Sequence, residues 1–371
     1  MPAIETIIND EQEQAIKRRI GERISLDFQP WEAMEARVSR STIRTWAVLN
    51  GDMRPLYMDP EYAAKSRWER IIAPPACMMA YEQIVPEIDC ALGSLPVLHS
   101  ARLEFAHPIR MNDVIMAASE IKGVEDVSRK GLAGRIVSAR IATEVWLENG
   151  DPVGSLLLDW HLYERGSDAQ RALFEGREIH NWEQADIEAL KAEYAQETQR
   201  GSTPLYWEDA GEGDELNCVL KGPTTKHRHI SRMKEAWYWG HKQGWDEYQE
   251  RPALFFRNEN NAPEPIAATD WDHHRARRWG GLPGALEANT DRPHHLVHML
   301  ANWSGDWGYP KLLDLQFPKQ DLIGDVCRSH GRVTGKRREG DAGIVLLDVW
   351  QVNQRGETIT TGKAEFQLPL K

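Results

Sequence analysis

The alternation of apolar and polar positions is clearest in two stretches. Residues 136–148 (IVSARIATEVWLE) and 154–164 (GSLLLDWHLYE) are rich in β-branched and aromatic residues. The turn-forming run Asn149-Gly150-Asp151-Pro152 separates them, so they predict an antiparallel pair. Arg332 to Leu370 has the same character, with breaks at Gly340 and at Arg355-Gly356. Ahead of each β-rich region lies one apolar helical stretch. The first is PPACMMAYEQIV, opened by Pro74 and Pro75; the second runs from PGALEAN into HHLVHMLANW. Asp10 to Ile20 and Trp182 to Gln199 are charged segments that read as leaders or linkers, and the second is a good helix former with exposed charge.

This succession occurs twice. Asp59 precedes Trp68 by nine residues, with Arg67 just ahead of the Trp; Asp270, Arg278 and Trp279 repeat the spacing. Leu103, Phe105, Asp113 and Val114 answer Leu315, Phe317, Asp325 and Val326, while Val145-Trp146 answers Val349-Trp350 and Gly154 answers Gly362. The separation stays between 204 and 212 (349 less 145; 315 less 103). Three blocks in one order predict a duplicated unit, each copy one helix against a long antiparallel sheet. The predicted division is residues 1–164, a charged helical linker at 165–201, and 202–371.

Composition narrows the partners. With 45 basic and 57 acidic residues, net charge −12, the 371-residue chain lacks the basic footprint of a nucleic-acid or anionic-membrane binder. No run of about 18 apolar residues predicts a membrane span. The polar start and the scattered Cys77, Cys90, Cys218 and Cys327 read as a cytoplasmic chain with reduced thiols.

The segment NGDMRPLYMDPEYAAKSRW, Asn50 to Trp68, resembles the GDxNPLHxD segment of MaoC-like (R)-specific enoyl-CoA hydratases, and IIAPPACMMAY resembles the start of their central helix. YWEDAGEGDELNCVLKGP, GHKQGWDEYQERPAL, DWDHHRARRWGGLPGALEANTDR and ANWSGDWGYPKLL are similar to the C-terminal half of double-hotdog acyl dehydratases with a FAS1-like dehydratase N-terminal domain. The resemblance implies an α+β double hotdog: two antiparallel sheets, each wrapping a central helix, packed as a pseudo-dimer. It also implies reversible hydration of an enoyl thioester, carried by coenzyme A, with no further cofactor. The degenerate half would leave room for a bulky acyl group. A pseudo-dimer can stand alone, pair again, or join another hotdog subunit.

That reaction needs a base for water, an acid for the α-carbon and a donor for the enolate oxygen; a histidine near pKa 6.5 beside a carboxylate suits the first two. In the first repeat the family's Asp and His fall on Asp52 and Tyr57, and a tyrosine with an ordinary pKa near 10 is a poor base. The alternative is a turn aspartate that caps the next segment. In the second repeat the resemblance points to His241, with Asp272 or Glu235 as carboxylate because Ala236 stands where the family has Asp. By the same analogy the oxyanion donor is the backbone of Gly284 or Ala285, after Pro283, set against an ordinary Pro-Gly turn. Arg292 and Arg278, the latter clustered with Arg275 and Arg277, are candidates for the coenzyme phosphates, set against a solvated helix face. His294 and His298 share a helix face, but no HExxH pattern accompanies them, and no metal is expected. Two rival readings share the fold: a hotdog thioesterase and a non-catalytic partner subunit.

Overall fold

The computed structural model describes residues 7–25, 37–82, 94–225, 241–250, 252, 255–270, 272–287 and 289–371. Its strands are β1 (Arg23–Ser25), β2 (Leu95–Phe105), β3 (Ile115–Asp126), β4 (Ile136–Leu147), β5 (Pro152–Tyr163), β6 (Val219–Lys221), β7 (Phe255–Arg257), β8 (Pro263–Pro265), β9 (Tyr309–Gln316), β10 (Cys327–Glu339), β11 (Ala342–Asn353) and β12 (Thr358–Leu368). Ten of them form one sheet in the order β1-β3-β4-β5-β2-β9-β12-β11-β10-β6, and β7 pairs with β8. Read from the β2–β9 seam outward, each half has the same order. This is the double hotdog, its two sheets joined edge to edge at the seam.

The register shows that the repeat is physical. Val145 pairs with Gly154, and Val349 pairs with Gly362. A Cβ on Gly154 would lie 2.3 Å from the carbonyl oxygen of Glu104, and one on Gly362 would lie 2.2 Å from that of Asp314. Both glycines are therefore required by a neighbouring backbone. Asp113 accepts from the Arg110 amide at 2.7 Å, and Asp325 accepts from the Leu322 amide at 3.0 Å, so both clasp the same turn.

Each half wraps one central helix. The first, Pro75–Tyr81, is a seven-residue 3-10 helix burying Pro75, Ala76, Cys77, Met78 and Met79. The second, Arg292–Ser304, has 13 residues and is buried along nearly its whole length. It begins later than the Pro-Gly signal predicts. Ala285 and Leu286 are held extended, because Ile323 donates to the Ala285 carbonyl at 2.9 Å and Leu286 bridges Leu322. Ile71 and Ile72 are held alike, by Met111 and Arg110. The chain then enters the second helix through the single turn Asn289–Asp291.

Between β5 and β6, helices Asp168–Ala172 and Gln184–Tyr194 join the halves. Buried Arg165 donates to the Ser94 carbonyl at 2.9 Å and to Thr269 Oγ1 at 3.1 Å, and Gln170 donates to the Gly280 carbonyl. This connection is thus docked on both units. Among the described residues no helix is long and apolar enough to cross a membrane.

Candidate functional site at the junction of the two repeats

Helix Arg40–Leu49 starts on a Ser39 cap and ends at Asn50. Gly51 takes a left-handed φ of 62°, and the Asp52 amide donates back to the Ala47 carbonyl. This turn sends the Asp52 carboxylate into the protein, where the residue is 3% exposed. Arg54 meets it with two bonds, at 2.9 and 3.0 Å. Arg54 also reaches Asn302 Oδ1 at 3.2 Å, and its guanidinium lies over the Tyr57 ring. Burial pushes the Tyr57 hydroxyl pKa far above its usual value, so it supplies no base.

The second central helix brings an imidazole to the same place. His298, 1% exposed, holds Nε2 3.1 Å from Glu197 Oε1 and 3.6 Å from Asp52 Oδ1. Its Nδ1 lies 2.6 Å from Lys221 Nζ. Lys221 also donates to the Gly51 carbonyl at 3.0 Å, and Asn302 donates to Glu197 at 3.0 Å. The helix supplies His298 and Asn302 four residues apart on one face, β6 supplies Lys221, and the linker supplies Glu197.

Charges within the cluster are settled by neighbours. Burial would raise the Asp52 pKa, but Arg54, then His298 and Lys221, outweigh it, and the carboxyl titrates below its usual value. Burial is also overcome at Glu197, where His298 and Asn302 bind the carboxylate and hold it at about 2. Burial lowers the His298 pKa, aided by Lys221 and Arg54 against the pull of Asp52 and Glu197. An ammonium only donates, so Nδ1 accepts and the neutral ring carries its proton on Nε2, facing the two carboxylates.

Lys221 also lines a cavity of about 200 Å³, with Asn50, Gly51, Tyr194, Thr224 and His295 in its wall. The space between the two central helices, by Tyr57, Pro75, Val297 and Phe366, is only about 10 Å³, near the minimum for one water. An open groove of about 740 Å³ lies elsewhere, by Arg102, Glu104, Arg337 and Glu365, whose charges pair with each other.

The residues singled out in the second repeat do not converge in this way. His241 opens helix His241–Glu250; its side chain, and all of Glu235, lie outside the described residues. Asp272 is the N-cap of helix His273–Arg278 and accepts from the Arg275 amide at 2.9 Å. Asp59 caps helix Pro60–Ala64 in the same manner, so the bond described at Asp272 is that of a cap. Gly284 and Ala285 precede the helix rather than opening it, and the Ala285 amide donates to His273 Nδ1 at 3.1 Å, which removes it as an oxyanion donor.

Arg292 is also corrected. It is 2% exposed and bonds the carbonyls of Lys319 and Ile359 and the Asp321 carboxylate, so it tethers the helix start to the sheet instead of meeting a phosphate. Arg278 is exposed and lies over its neighbour Trp279, while Arg275 pairs with Glu264 and Arg277 bonds the Pro283 carbonyl. Among the described residues no group of three or more His, Cys, Asp or Glu side chains could hold a metal ion. Sequence reasoning misses Glu197 and Lys221, and it considers His298 only as a metal ligand. The signal pointing toward His298 is Tyr57 itself, which stands where the resembled motif has a histidine.

Residues 26–155 match the model of the FAS1-like, dehydratase domain region. A UPF0336 protein of Streptomyces avermitilis is 31% identical over 122 residues, 31% of this chain and 77% of that protein. Among solved structures, a MaoC-like dehydratase superposes with a TM-score of 0.63 at 16% identity, over 96% of this chain and all of the other. A Mycobacterium tuberculosis protein described as having a double hotdog fold gives 0.54 at 12% identity, covering 90% and 92%.

Proposed function

Because the chain belongs to the MaoC-like dehydratase family, we propose that it catalyses the reversible hydration of a 2-enoyl thioester, with coenzyme A as carrier, at the junction cluster. The observation that carries this reading is the histidine returned to Asp52. The first repeat has lost its own, and His298 of the second repeat takes its place, 3.6 Å from Asp52 and 3.1 Å from Glu197. Glu197, whose side chain is 19% exposed, is the more accessible of the two carboxylates. In hydration the water oxygen adds to C3, the electron pair of the double bond moves onto the thioester oxygen, and a proton is delivered to C2. The carboxylate–imidazole pair takes the water proton and returns one to carbon.

The test is incubation with crotonyl-CoA, following loss of the enoyl absorbance and release of free thiol in parallel. Hydration without thiol release is expected, and thiol release without hydration would replace this reading with a thioesterase. A second reading has its own support: the bidentate clamp of Arg54 on Asp52 is an arrangement a non-catalytic partner subunit could keep. Under that reading the purified chain is inactive alone and gains turnover only with a second hotdog subunit.

A further inference from the structure

We propose that the closed space between the two central helices binds one water molecule, which bridges Arg54 Nη1 of the first unit to Asp306 Oδ1 of the second. The bridge lets a single guanidinium serve two buried carboxylates, and it stands whether or not the junction cluster is catalytic. Asp306 comes directly after the second central helix. Gly305 ends that helix at a left-handed φ of 74°, where a Cβ would lie 2.5 Å from the Thr203 carbonyl oxygen. Past this turn Asp306 is fixed from three sides. Its amide donates to the Gly201 carbonyl at 2.8 Å, its carbonyl accepts from the Trp68 indole at 2.7 Å, and its Oδ2 accepts from the Tyr62 hydroxyl.

The other carboxylate oxygen is left over. Asp306 is 4% exposed, and its Oδ1 has no hydrogen-bond partner among the described residues. A buried carboxylate oxygen normally has a donor. Arg54 Nη1 stands 3.9 Å away, too far for a direct bond. The rest of that guanidinium is engaged elsewhere: Nε and Nη2 bond the Asp52 carboxylate, and Nη2 also reaches Asn302 Oδ1. A polar gap wider than about 3.5 Å calls for a molecule between the two groups. Arg54 and Asp306 both line the space of about 10 Å³, which has room for one water and nothing larger. The wall also selects the ligand. It sets one cationic donor against one anionic acceptor, so a cation is repelled by the guanidinium and an anion by the carboxylate. Water accepts from Nη1 and donates to Oδ1, while Leu56, Ile72, Val297 and Phe366 close the space with apolar surface. Direct closure of Nη1 on Oδ1 would turn the guanidinium out of its two-bond register with Asp52. A bridging water fills the gap and leaves that register intact.

The experiment is a crystal structure of the full chain at a resolution that shows ordered solvent, with oxygen-17 relaxation dispersion to count long-lived internal waters in solution. Density for one water is expected within about 3.2 Å of both Arg54 Nη1 and Asp306 Oδ1. Asp306→Leu, which removes the acceptor, should lose that density and lower the solution count by one. A direct bond between Nη1 and Oδ1 overturns the proposal, and so does a space without density. An unchanged water count in Asp306→Leu overturns it as well. If Asp306→Leu does not fold, the wild-type density decides alone: a water on both atoms supports the bridge, and its absence refutes it.

Discussion

The first central helix, Pro75–Tyr81, buries proline, alanine, cysteine and methionine side chains. The second, Arg292–Ser304, buries three imidazoles, an arginine and an asparagine among its apolar residues. The two units share strand order, turn clasps and the Gly154/Gly362 pairing, so the difference is not one of fold. What differs is where the polar groups stand. Asp52 stands on the loop of the first unit, and His298, 3.6 Å from it, stands on the helix of the second. Groups from separate copies can meet in this way only where the seam holds the copies in register. The β2–β9 ladder, with Leu103 opposite Leu313, and the docked linker provide that register.

The strongest way to break this comparison is to remove the cation that lets the acid stay buried. Arg54→Met leaves the interior Asp52 carboxylate without its guanidinium clamp. It should destabilise the chain by about 3–5 kcal/mol, read from the midpoint of urea unfolding. Adding Asp52→Asn should recover much of the loss, since the uncompensated charge is then gone. Equal instability of the single and double variants would mean that Arg54 acts through packing alone.

Next in size is His298→Gln, which keeps a polar side chain of similar reach and removes the titrating ring. On the proposed reading kcat for crotonyl-CoA hydration falls about 10²-fold or more. Full turnover would separate the junction cluster from catalysis and leave it a packing device.

A smaller effect is expected at Glu197, held at about 2 against an ordinary value of 4.5. A carboxyl whose folded pKa is depressed contributes its stability above the unfolded pKa. That contribution is lost as pH falls through the folded one. Unfolding midpoints should therefore decline between about pH 5 and pH 2, and Glu197→Gln should flatten that part of the profile. Because the side chain is part-exposed, solvent reduces the size of this change. An identical decline in the variant would assign the acid sensitivity to other carboxylates.

These contrasts also mark what is readable in the chain. The duplication is legible because strand pairing preserves residue types: a valine opposite a glycine too close to a backbone to carry a Cβ recurs at Val145/Gly154 and Val349/Gly362. The start of the second central helix is not, because Pro283-Gly284 is a strong local turn signal, while the extended course of Ala285 and Leu286 is set by Leu322 and Ile323, about 37 residues on. The fate of Asp272 is hidden for a similar reason, since an aspartate before a short helix reads as acid or as cap until its donor is seen. His298 and Glu197 are beyond local reading altogether. Arg54 and the His298 helix are 244 residues apart, and no spacing rule reports such a contact.

The smallest expected effect falls on His241, and it sharpens the comparison most. Resemblance to the family places the proton-handling imidazole there. That residue lies in helix His241–Glu250, and its side chain is outside the described residues. On the proposed reading the chemistry lies with Asp52, Glu197 and His298, so His241→Ala should change kcat by no more than about twofold, the scale of ±0.5 kcal/mol. Measured beside His298→Gln under one assay, it asks which copy supplies the ring. A loss of about 10²-fold in His241→Ala, with His298→Gln unimpaired, would return the site to the second unit and make the junction cluster a structural remnant of the first.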